Sequence, residues 1–340
     1  MSKDVKHGVF SDVKDELVFH EPDALFWTGV SRLTDGTGVI IPVGSSMTSE
    51  VLFIPTTDAD ADPKSVLPRV SGVEYDVDHR DGSFLVRIND DGDNFRLVEV
   101  PDDVINQFIN DLSIIAKLAL NIVVVHGGGK TIEKKLKENN IESKWIEGLR
   151  VSDENSIKFI EEALNEINFN IVKKLNESGC NAKSITSKDK IVKVNPISKD
   201  LMYVGTPKEV NNKILNDILT NKEIPVVAPL GIGDDQKIYN INADQMASKV
   251  SSSLKVRRLL LMTDVAGVLK EGKLIPELKS TEAIKMIEDG TISGGFIPKI
   301  HSAIEALKNV KAVAIVNGKT RFSLLYELFS DKGSGTLLRL

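Results

Sequence analysis

Residues 122–130 read Ile-Val-Val-Val-His-Gly-Gly-Gly-Lys and carry the strongest structural signal in the chain. Four β-branched apolar residues predict a buried strand, and the three glycines then turn the chain. The next segment, residues 131–139, places Ile132 and Leu136 at helical spacing, so the predicted order is strand, glycine turn, helix. Such a turn lets backbone N–H groups approach an anion beside the positive end of a helix. This part of the sequence therefore predicts an anion site.

Two common phosphate-binding motifs are excluded at this turn. A P-loop that ends in Gly129-Lys130-Thr131 would need glycine at position 124, where the chain has Val124. The dinucleotide-binding motif G-x-G-x-x-G would need glycine in place of Ile132. A tight strand-to-helix connection explains the triple glycine equally well when it is considered alone. The choice depends on the neighbouring motifs.

Composition bounds the class of protein. The chain has 340 residues, 41% of them apolar and 27% charged, which is typical of a globular protein with room for two domains. A single cysteine, Cys180, excludes an internal disulfide and an all-cysteine metal cage. No apolar run reaches membrane-spanning length, and the N-terminus lacks the apolar core of a signal peptide. We therefore expect a cytoplasmic protein with no membrane partner and no resident metal.

Charge divides the chain into two parts. Residues 1–103 carry nine lysines and arginines against 21 acidic residues, a net charge of −12, while residues 104–340 carry 34 against 28, a net charge of +6. A modest positive charge suits small anionic ligands, but no basic run is dense enough to follow a nucleic acid. Nucleic acid is therefore not an expected partner.

Short β-type runs separated by turns fill residues 15–101. The runs are residues 38–43, 51–54, 72–77, 84–88 and 95–100. Turn-forming pairs such as Asp81-Gly82 and Asp91-Gly92 lie between them at hairpin spacing. The pattern predicts an antiparallel β segment built like propeller blades, and residues 1–103 are expected to be separate from the rest.

Four stretches of this segment also resemble a known protein family. The stretches Glu21-Pro22-Asp23, 48–51, 72–79 and 94–99 resemble part of the propeller of oligopeptidase B, a prolyl-oligopeptidase-family serine peptidase, over about residues 10–101. Peptidase activity is not expected, because no serine has glycine at both −2 and +2, as the nucleophile elbow requires. The two histidines here, His20 and His79, are interpreted as turn or surface residues.

The apolar period changes after Pro101. Residues 103–118 predict a helix with Asp102 or Asp103 as its cap. Beyond it, helices alternate with the apolar strands 122–125, 224–228, 259–262 and 313–316. Alternation of this kind predicts an α/β domain, with a mostly parallel sheet and helices on both faces.

Four further motifs lie at the predicted ends of strands or starts of helices, where ligands bind on such sheets. They are Gly148-Leu149-Arg150-Val151, Asn240-Ile241-Asn242-Ala243-Asp244, Met262-Thr263-Asp264-Val265-Ala266-Gly267-Val268 and Gly294-Gly295-Phe296-Ile297-Pro298-Lys299. Taken singly, each has a structural explanation: Arg150 as a surface ion pair, Asn240 as a cap, Lys299 as a solvated lysine. The occurrence of all four motifs in this order along one chain is more specific than any one of them.

In that order the motifs make residues 104–340 resemble the acetylglutamate kinases of the amino-acid kinase family. The resemblance implies a three-layer αβα sandwich and transfer of the γ-phosphoryl of ATP to the side-chain carboxylate of N-acetyl-L-glutamate, in arginine biosynthesis. It further implies ATP with Mg²⁺ as co-substrate, the metal being held mainly by phosphate oxygens. A homo-oligomer is also expected.

The resemblance assigns roles to residues. Gly128 and Gly129 would present backbone N–H groups to the acceptor, Arg150 would bind the α-carboxylate, and Asn240 would hydrogen-bond the substrate. Two residues would be catalytic: Asp244 would organise the site, and Lys299 would stabilise the transferring phosphoryl. The nucleotide-binding residues would be Asp264, Val265, Gly267 and Val268, with the loop 291–293.

One departure from the family is expected to matter. Family members begin with a strand that ends in a lysine and two glycines, whereas this chain has no lysine between Lys64 and Lys117. Arg87 and Arg96 are the nearest candidate replacements. The leading hypothesis is an acetylglutamate kinase domain that lacks this strand. The alternatives are a sibling kinase acting on another small acid, or a catalytically impaired pseudokinase or ligand-binding module.

Overall fold

The computed structural model describes residues 5–6, 17–58, 61–80, 82–90, 92, 94–101, 104–270, 272–320, 322–330 and 333–340. The chain divides into two compact units, Met1–Gln107 (unit 1) and Phe108–Leu340 (unit 2). None of the described helices has the length and apolar character needed to cross a membrane.

Unit 1 is antiparallel β structure. Its strands are β1 (Val5–Lys6), β2 (Leu17–Phe19), β3 (Trp27–Thr28), β4 (Ser31–Arg32), β5 (Gly38–Gly44), β6 (Ser49–Pro55), β7 (Lys64–Ser65), β8 (Tyr75–Arg80), β9 (Ser83–Ile88) and β10 (Arg96–Pro101). One sheet has the order β3-β5-β6-β7 with β4 also on β5, another has the order β8-β9-β10, and β1 pairs with β2. The predicted antiparallel segment is confirmed.

Alternation along the strands builds the core of unit 1. In β9, Phe84, Val86 and Ile88 are buried and pack with Val51 and Tyr75 in one apolar cluster. Strand β8 begins three residues later than the predicted run, at Tyr75. The predicted turn residues Asp81 and Asp91 lie outside the described residues.

The interpretation of His79 as a surface residue is wrong. Its side chain is only 3% exposed, and Nδ1 lies 2.6 Å from Asp35 Oδ2 and 3.0 Å from Thr37 Oγ1. The ring also packs edge-on against Phe84. His79 is buried because it lies on the same face of β8 as Tyr75, and that face is turned toward the core. The turn-rich local sequence does not show this orientation.

Unit 2 alternates strands and helices. Its helices are α1 (Val104–Lys117, which begins before the unit boundary), α2 (Gly129–Glu138), α3 (Ser156–Glu177), α4 (Asn212–Thr220), α5 (Ala243–Leu254), α6 (Ser280–Glu288), α7 (Phe296–Leu307) and α8 (Ser323–Phe329), with a 3₁₀ turn at Ser187–Asp189. Its strands are β11 (Val124–Val125), β12 (Trp145–Ile146), β13 (Leu149–Arg150), β14 (Ala182–Ile185), β15 (Val192–Pro196), β16 (Gly205–Val210), β17 (Ile224–Val227), β18 (Leu230–Ile232), β19 (Ile238–Asn240), β20 (Leu259–Thr263), β21 (Leu269–Lys270), β22 (Lys273–Leu274), β23 (Glu277–Lys279), β24 (Val313–Asn317) and β25 (Thr336–Arg339).

The three larger sheets of unit 2 contain more parallel than antiparallel strand pairs. One has the all-parallel order β11-β17-β14, and another has the order β20-β24-β25-β23, in which only β24 and β25 are antiparallel. A third sheet, β16-β15-β18-β19, is mixed. All four residues of β17 are buried, as expected for a strand covered on both faces.

Helices cover both faces of these sheets. Val226 packs with Ile109 and Ile115 of α1, whereas Val227 packs with Met246 of α5 and Ile218 of α4. Adjacent strand residues point to opposite faces, so the helices lie in two layers around the sheet. The predicted three-layer αβα sandwich is confirmed.

Element bounds follow the predictions closely. Helix α1 begins at Val104, and its predicted caps Asp102 and Asp103 lie outside the described residues. Helix α2 begins at Gly129, two residues before the prediction, because the last glycine of the turn already belongs to the helix.

Strands β11 and β20 are edges of their sheets. Within the described chain, β11 hydrogen-bonds only to β17, and β20 only to β24. Both strands contact α5. The C-terminal end of β11 lies at the start of α5, since a Cβ on Gly127 would be 3.8 Å from that of Ala243. Because α5 leads directly into β20, the C-terminal ends of both strands lie at the same end of α5.

Candidate active site

Three helix N-termini meet at the predicted site. Helix α2 starts after Gly128 and α7 after Gly295, and no described side chain caps either helix. The start of α5 lies beside the glycine turn through Ala243, and Lys299 of α7 reaches Asp244 of α5. Helix N-termini carry partial positive charge, so this meeting point favours anions.

The predicted catalytic pair is in direct contact. Lys299 Nζ donates to both carboxylate oxygens of Asp244, at 2.8 and 3.0 Å. The two side chains are 13% and 25% exposed, which leaves them open to a ligand. Asn242 caps α5 by accepting the backbone N–H of Asp244, so Asp244 is fixed at the helix start. The structure brings a cation to the place where the helix N-termini converge.

A buried network fixes the glycine turn. His126 is 7% exposed, and its Nδ1 donates to the Gly127 carbonyl at 2.9 Å. Its Nε2 accepts from Nδ2 of the fully buried Asn168, which also donates to Val226 O and accepts from Ser184 Oγ. Burial lowers the pKa of His126, so the neutral ring with the proton on Nδ1 is favoured. Asn168 belongs to none of the sequence motifs; its only signal is a polar residue between apolar positions of a helix.

The His126 network predicts a pH dependence of stability. The folded pKa of His126 lies below the ordinary value of about 6.5, so the unfolded chain binds the proton more readily. The stability that comes from burying the neutral ring is therefore fully present above pH 6.5. It is lost as the pH falls through the folded pKa. Relative to His126→Gln, wild-type protein should lose up to about 1.4 kcal/mol of unfolding free energy per pH unit below 6.5. Urea unfolding at pH 7.5, 6.5 and 5.5 measures this. His301→Gln, at an exposed position, is the control and should keep the wild-type slope; an equal slope in His126→Gln would contradict the assignment.

The two predicted substrate-binding glycines differ in their surroundings. A Cβ on Gly128 would lie 2.7 Å from Leu164 Cδ2 and 3.0 Å from Ile167 Cδ1, and Leu164 is fully buried. A Cβ on Gly129 would meet no described atom within 4 Å. A side chain at Gly128 would therefore crowd the apolar core, whereas Gly129 leaves open space above the turn.

This difference is testable with a matched pair of variants. Gly128→Ala should lower the unfolding free energy by about 1–3 kcal/mol, because the extra methyl overpacks the core. Gly129→Ala should leave stability unchanged or slightly higher, since alanine favours the helix that begins there. Urea denaturation of both proteins measures the two values. Equal losses would show that the described packing does not distinguish the two positions.

A hairpin presents Arg150 to the glycine turn. Strands β12 and β13 are joined by Glu147 and Gly148, both with positive φ (48° and 77°), which is the type I′ geometry that suits a two-residue hairpin. The Arg150 side chain is 5% exposed, and its NH2 lies 3.3 Å from the Gly129 carbonyl. The predicted carboxylate-binding residue therefore lies next to the predicted anion site.

Three residues outside the sequence motifs surround Arg150. Its NH1 donates to Glu133 Oε2 at 2.6 Å and also to Ser143 Oγ. The guanidinium carbon lies 4.4 Å from the centroid of the Trp145 ring. The hydrogen bond from Arg150, followed by that from Ser143, holds the pKa of Glu133 below its ordinary value.

Asn240 is connected to the same hairpin. Its Nδ2 donates to Ser152 Oγ at 3.3 Å, and that hydroxyl donates to the Arg150 carbonyl at 3.2 Å. Ser152 is fully buried, so the link is shielded from water. Gly128, Gly129, Arg150, Asn240, Asp244 and Lys299 thus form one continuous neighbourhood.

The predicted nucleotide-binding residues follow β20. Asp264 and Val265 are exposed, and Lys319 Nζ lies 3.9 Å from Asp264 Oδ2. Gly267 has a φ of +143°, and a Cβ there would lie 2.6 Å from Thr336 Oγ1. The N–H of the buried Val268 donates to that same hydroxyl. Asp264 and Val265 therefore face solvent. Gly267 and Val268 are buried and pack the loop against Thr336.

The predicted loop 291–293 combines two exposed residues with one anchor. Thr291 and Ser293 are exposed, whereas Ile292 is buried in the apolar cluster beneath α7. Across the described residues, no group of three or more His, Cys, Asp or Glu side chains is arranged to hold a metal ion.

Two protein families match the chain. The amino acid kinase family matches residues 86–317, and the N-terminal β-propeller domain of prolyl oligopeptidase matches residues 10–108. Both resemblances predicted from the motifs are confirmed. The two matches overlap on residues 86–108, which contain β10 and the start of α1.

Acetylglutamate kinases are among the proteins of similar sequence. That of Pelagibacter ubique (strain HTCC1062) is 48% identical over 235 residues, covering 68% of this chain and 82% of the relative. That of Campylobacter curvus (strain 525.92) is 38% identical over 275 residues, covering 79% and 96%. The crystal structure of smu.665 from Streptococcus mutans UA159 superposes with a TM-score of 0.61 at 30% identity, over 68% and 91% of the two chains. The chain therefore belongs to the amino acid kinase family, in the group of the acetylglutamate kinases.

Proposed function

We propose that this protein transfers the γ-phosphoryl group of ATP to the side-chain carboxylate of N-acetyl-L-glutamate, as a step of arginine biosynthesis. The observation that carries the proposal is the placement of Arg150 against Gly129 in a neighbourhood that also holds Lys299 and Asp244. The acetylglutamate kinases of similar sequence support this substrate. The sibling kinase acting on another small acid is the remaining alternative, whereas the comparisons give no support to a pseudokinase.

The geometry suits a reaction between two anions. A carboxylate and a triphosphate repel each other, so the site has to gather both and stabilise the charge that develops on the migrating phosphoryl group. The N-termini of α2 and α7 supply partial positive charge, and Lys299 supplies a full one. Asp244 orients Lys299, so the ammonium group is preorganised before the ligands arrive.

Substrate orientation would come from the hairpin side of the site. We assign the α-carboxylate of acetylglutamate to the Arg150 guanidinium, which matches a carboxylate in shape and charge. Asn240 would hydrogen-bond the same ligand, and the backbone N–H groups of Gly128 and Gly129 would face the reacting carboxyl group. The side-chain carboxylate oxygen attacks the γ-phosphorus, the bond to the β-phosphate bridging oxygen breaks, and ADP leaves.

The nucleotide would lie over the loop that follows β20. Asp264 and Val265 are assigned to its exposed edge, with Gly267, Val268 and the loop 291–293 shaping the cavity. We treat ATP as its magnesium complex, in which phosphate oxygens hold the metal. Asp244 at the start of α5 and Asp264 after β20 would be the carboxylates that face this complex.

The functional organisation is part of the proposal. We assign catalysis to residues 104–340 and regard residues 1–103 as a β propeller-like fragment, supported by the unit boundary after Gln107. The proposal also includes a homo-oligomer, which light scattering tests. It further includes a cytoplasmic location, where ATP is available.

A hydroxamate assay tests the activity. With ATP, Mg²⁺ and hydroxylamine, an acyl phosphate is trapped as its hydroxamate, so carboxyl phosphorylation is distinguished from ATP hydrolysis. We expect hydroxamate with N-acetyl-L-glutamate and far less with L-glutamate. Hydroxamate from another acid at a higher rate would favour the sibling kinase, and none from any carboxylate would refute the proposal.

The expected missing strand leads to a further prediction. Within the described residues, strands β11 and β20 are edges of their sheets. In unit 1, Arg87 donates from Nε and NH2 to one oxygen of Asp76, and Arg96 donates to both oxygens of Asp90. Replacing residues 1–103 with a short strand that ends in Lys-x-Gly-Gly should raise kcat at least roughly tenfold by adding a second cation. Steady-state kinetics measure it, with a Met-x-Gly-Gly strand as the control. Equal rates for both strands would show that the lysine is not required.

A further inference from the structure

The Arg150 guanidinium is engaged on one side and open on the other. Both NH1 protons have acceptors, Glu133 Oε2 and Ser143 Oγ. On the opposite edge, NH2 has only the long bond to Gly129 O, and no acceptor for Nε is found among the described residues. A guanidinium binds a carboxylate with two parallel N–H groups, and the Nε–NH2 edge still offers such a pair.

We infer that Glu133 and Ser143 are positioning residues that hold NH1 of Arg150, so that the Nε–NH2 edge is presented to the substrate carboxylate. This inference rests on the proposed function, in which Arg150 binds acetylglutamate. It adds two residues to the substrate site that the sequence motifs do not contain.

Stacking alone would not fix this orientation. The Trp145 ring lies over the guanidinium and restrains its tilt, but a planar group can still rotate within its own plane on a flat ring. The two bonds at NH1 remove that rotation. Since Glu133 uses the same oxygen, Oε2, to accept from both Arg150 and Ser143, the three residues form one closed unit. An arginine ordered before binding loses less conformational freedom when the ligand arrives.

Glu133 could instead act as a competitor that occupies the place of the substrate. The geometry argues against this, because NH1 is the guanidinium nitrogen that donates to the Glu133 carboxylate, and the Nε–NH2 edge is left open. Its side chain is also 53% exposed, so it lies at the outer side of the buried arginine. The two roles predict opposite changes in the KM for acetylglutamate when Glu133 is removed.

Kinetics of Glu133→Ala, Glu133→Gln and Ser143→Ala test the inference. In Glu133→Ala we expect the KM for acetylglutamate to rise about tenfold, with kcat within about twofold and the KM for ATP unchanged, because only ground-state orientation is lost. Glu133→Gln should recover part of the change, since an amide oxygen still accepts from NH1. Ser143→Ala should shift the same KM by a smaller factor. Glu138→Ala, at the exposed end of the same helix, should match wild type.

The outcomes separate this inference from the proposed function. A lower KM in Glu133→Ala would establish the competitor role and overturn the positioning role. An unchanged KM, or an equal increase in the KM for both substrates, would overturn it as well while leaving the proposed reaction intact. Wild-type protein without acetylglutamate-dependent turnover would overturn both.

Discussion

Lys299→Met is expected to lower kcat for acetylglutamate phosphorylation by about 10²–10³-fold, the usual effect of losing one preorganised stabiliser of developing charge. The KM values should change much less, because the charge on the phosphoryl group is greatest in the transition state. The lysine is fixed by two bonds to Asp244, so its ammonium group needs little reorganisation during the reaction. Methionine keeps a similar length and removes the charge.

Steady-state kinetics of hydroxamate formation measure the effect. Lys308→Met is the matched control, because this lysine lies at the end of the same helix, is 61% exposed, and pairs only with Glu305 among the described residues. The fold should survive in Lys299→Met, since Asp244 remains 25% exposed and can be hydrated. A loss in kcat below about tenfold would contradict the assignment, and Lys319 beside Asp264 would then be the next cation to test.

Local signals explain how much of the fold was predictable. The β-branched run before the glycines and the apolar spacing after them predicted β11 and α2 correctly, because both depend on neighbouring residues. The strand is shorter than predicted, at Val124–Val125, since pairing depends on a partner strand far away in sequence. The prediction that His79 lies at the surface was wrong for the same reason, because its burial depends on contacts with Asp35 and Phe84.

The candidate site was predictable only as a set of motifs. The motifs indicated Arg150, Asp244 and Lys299, and the structure places the last two in contact. Glu133 and Asn168 could not be assigned from sequence, because an exposed acid and a polar residue in a helix have many ordinary explanations. Their roles follow from distances that only the folded chain supplies: 2.6 Å from Glu133 to Arg150 and 3.1 Å from Asn168 to His126.

Arg150→Ala should weaken acetylglutamate binding by about 2–5 kcal/mol, or roughly 30-fold to several thousand-fold, while ATP binding stays nearly intact. The guanidinium is 5% exposed, so its bond to a carboxylate would be largely shielded from water. The nucleotide residues Asp264 and Val265 belong to another loop, after β20. The loss should therefore be confined to one ligand.

Calorimetric titration of Arg150→Ala and Arg150→Lys with each ligand separates the contributions. Lysine keeps the charge but cannot form the two parallel bonds, so Arg150→Lys should still bind acetylglutamate well below wild type. Arg257→Ala, an exposed arginine of unit 2, is the control. The fold should tolerate the loss, because the partner left behind, Glu133, is 53% exposed and can be hydrated. Equal weakening of both ligands would instead mean that Arg150 supports the hairpin and the glycine turn, and the carboxylate would then have to be reassigned to the open N-terminus of α2.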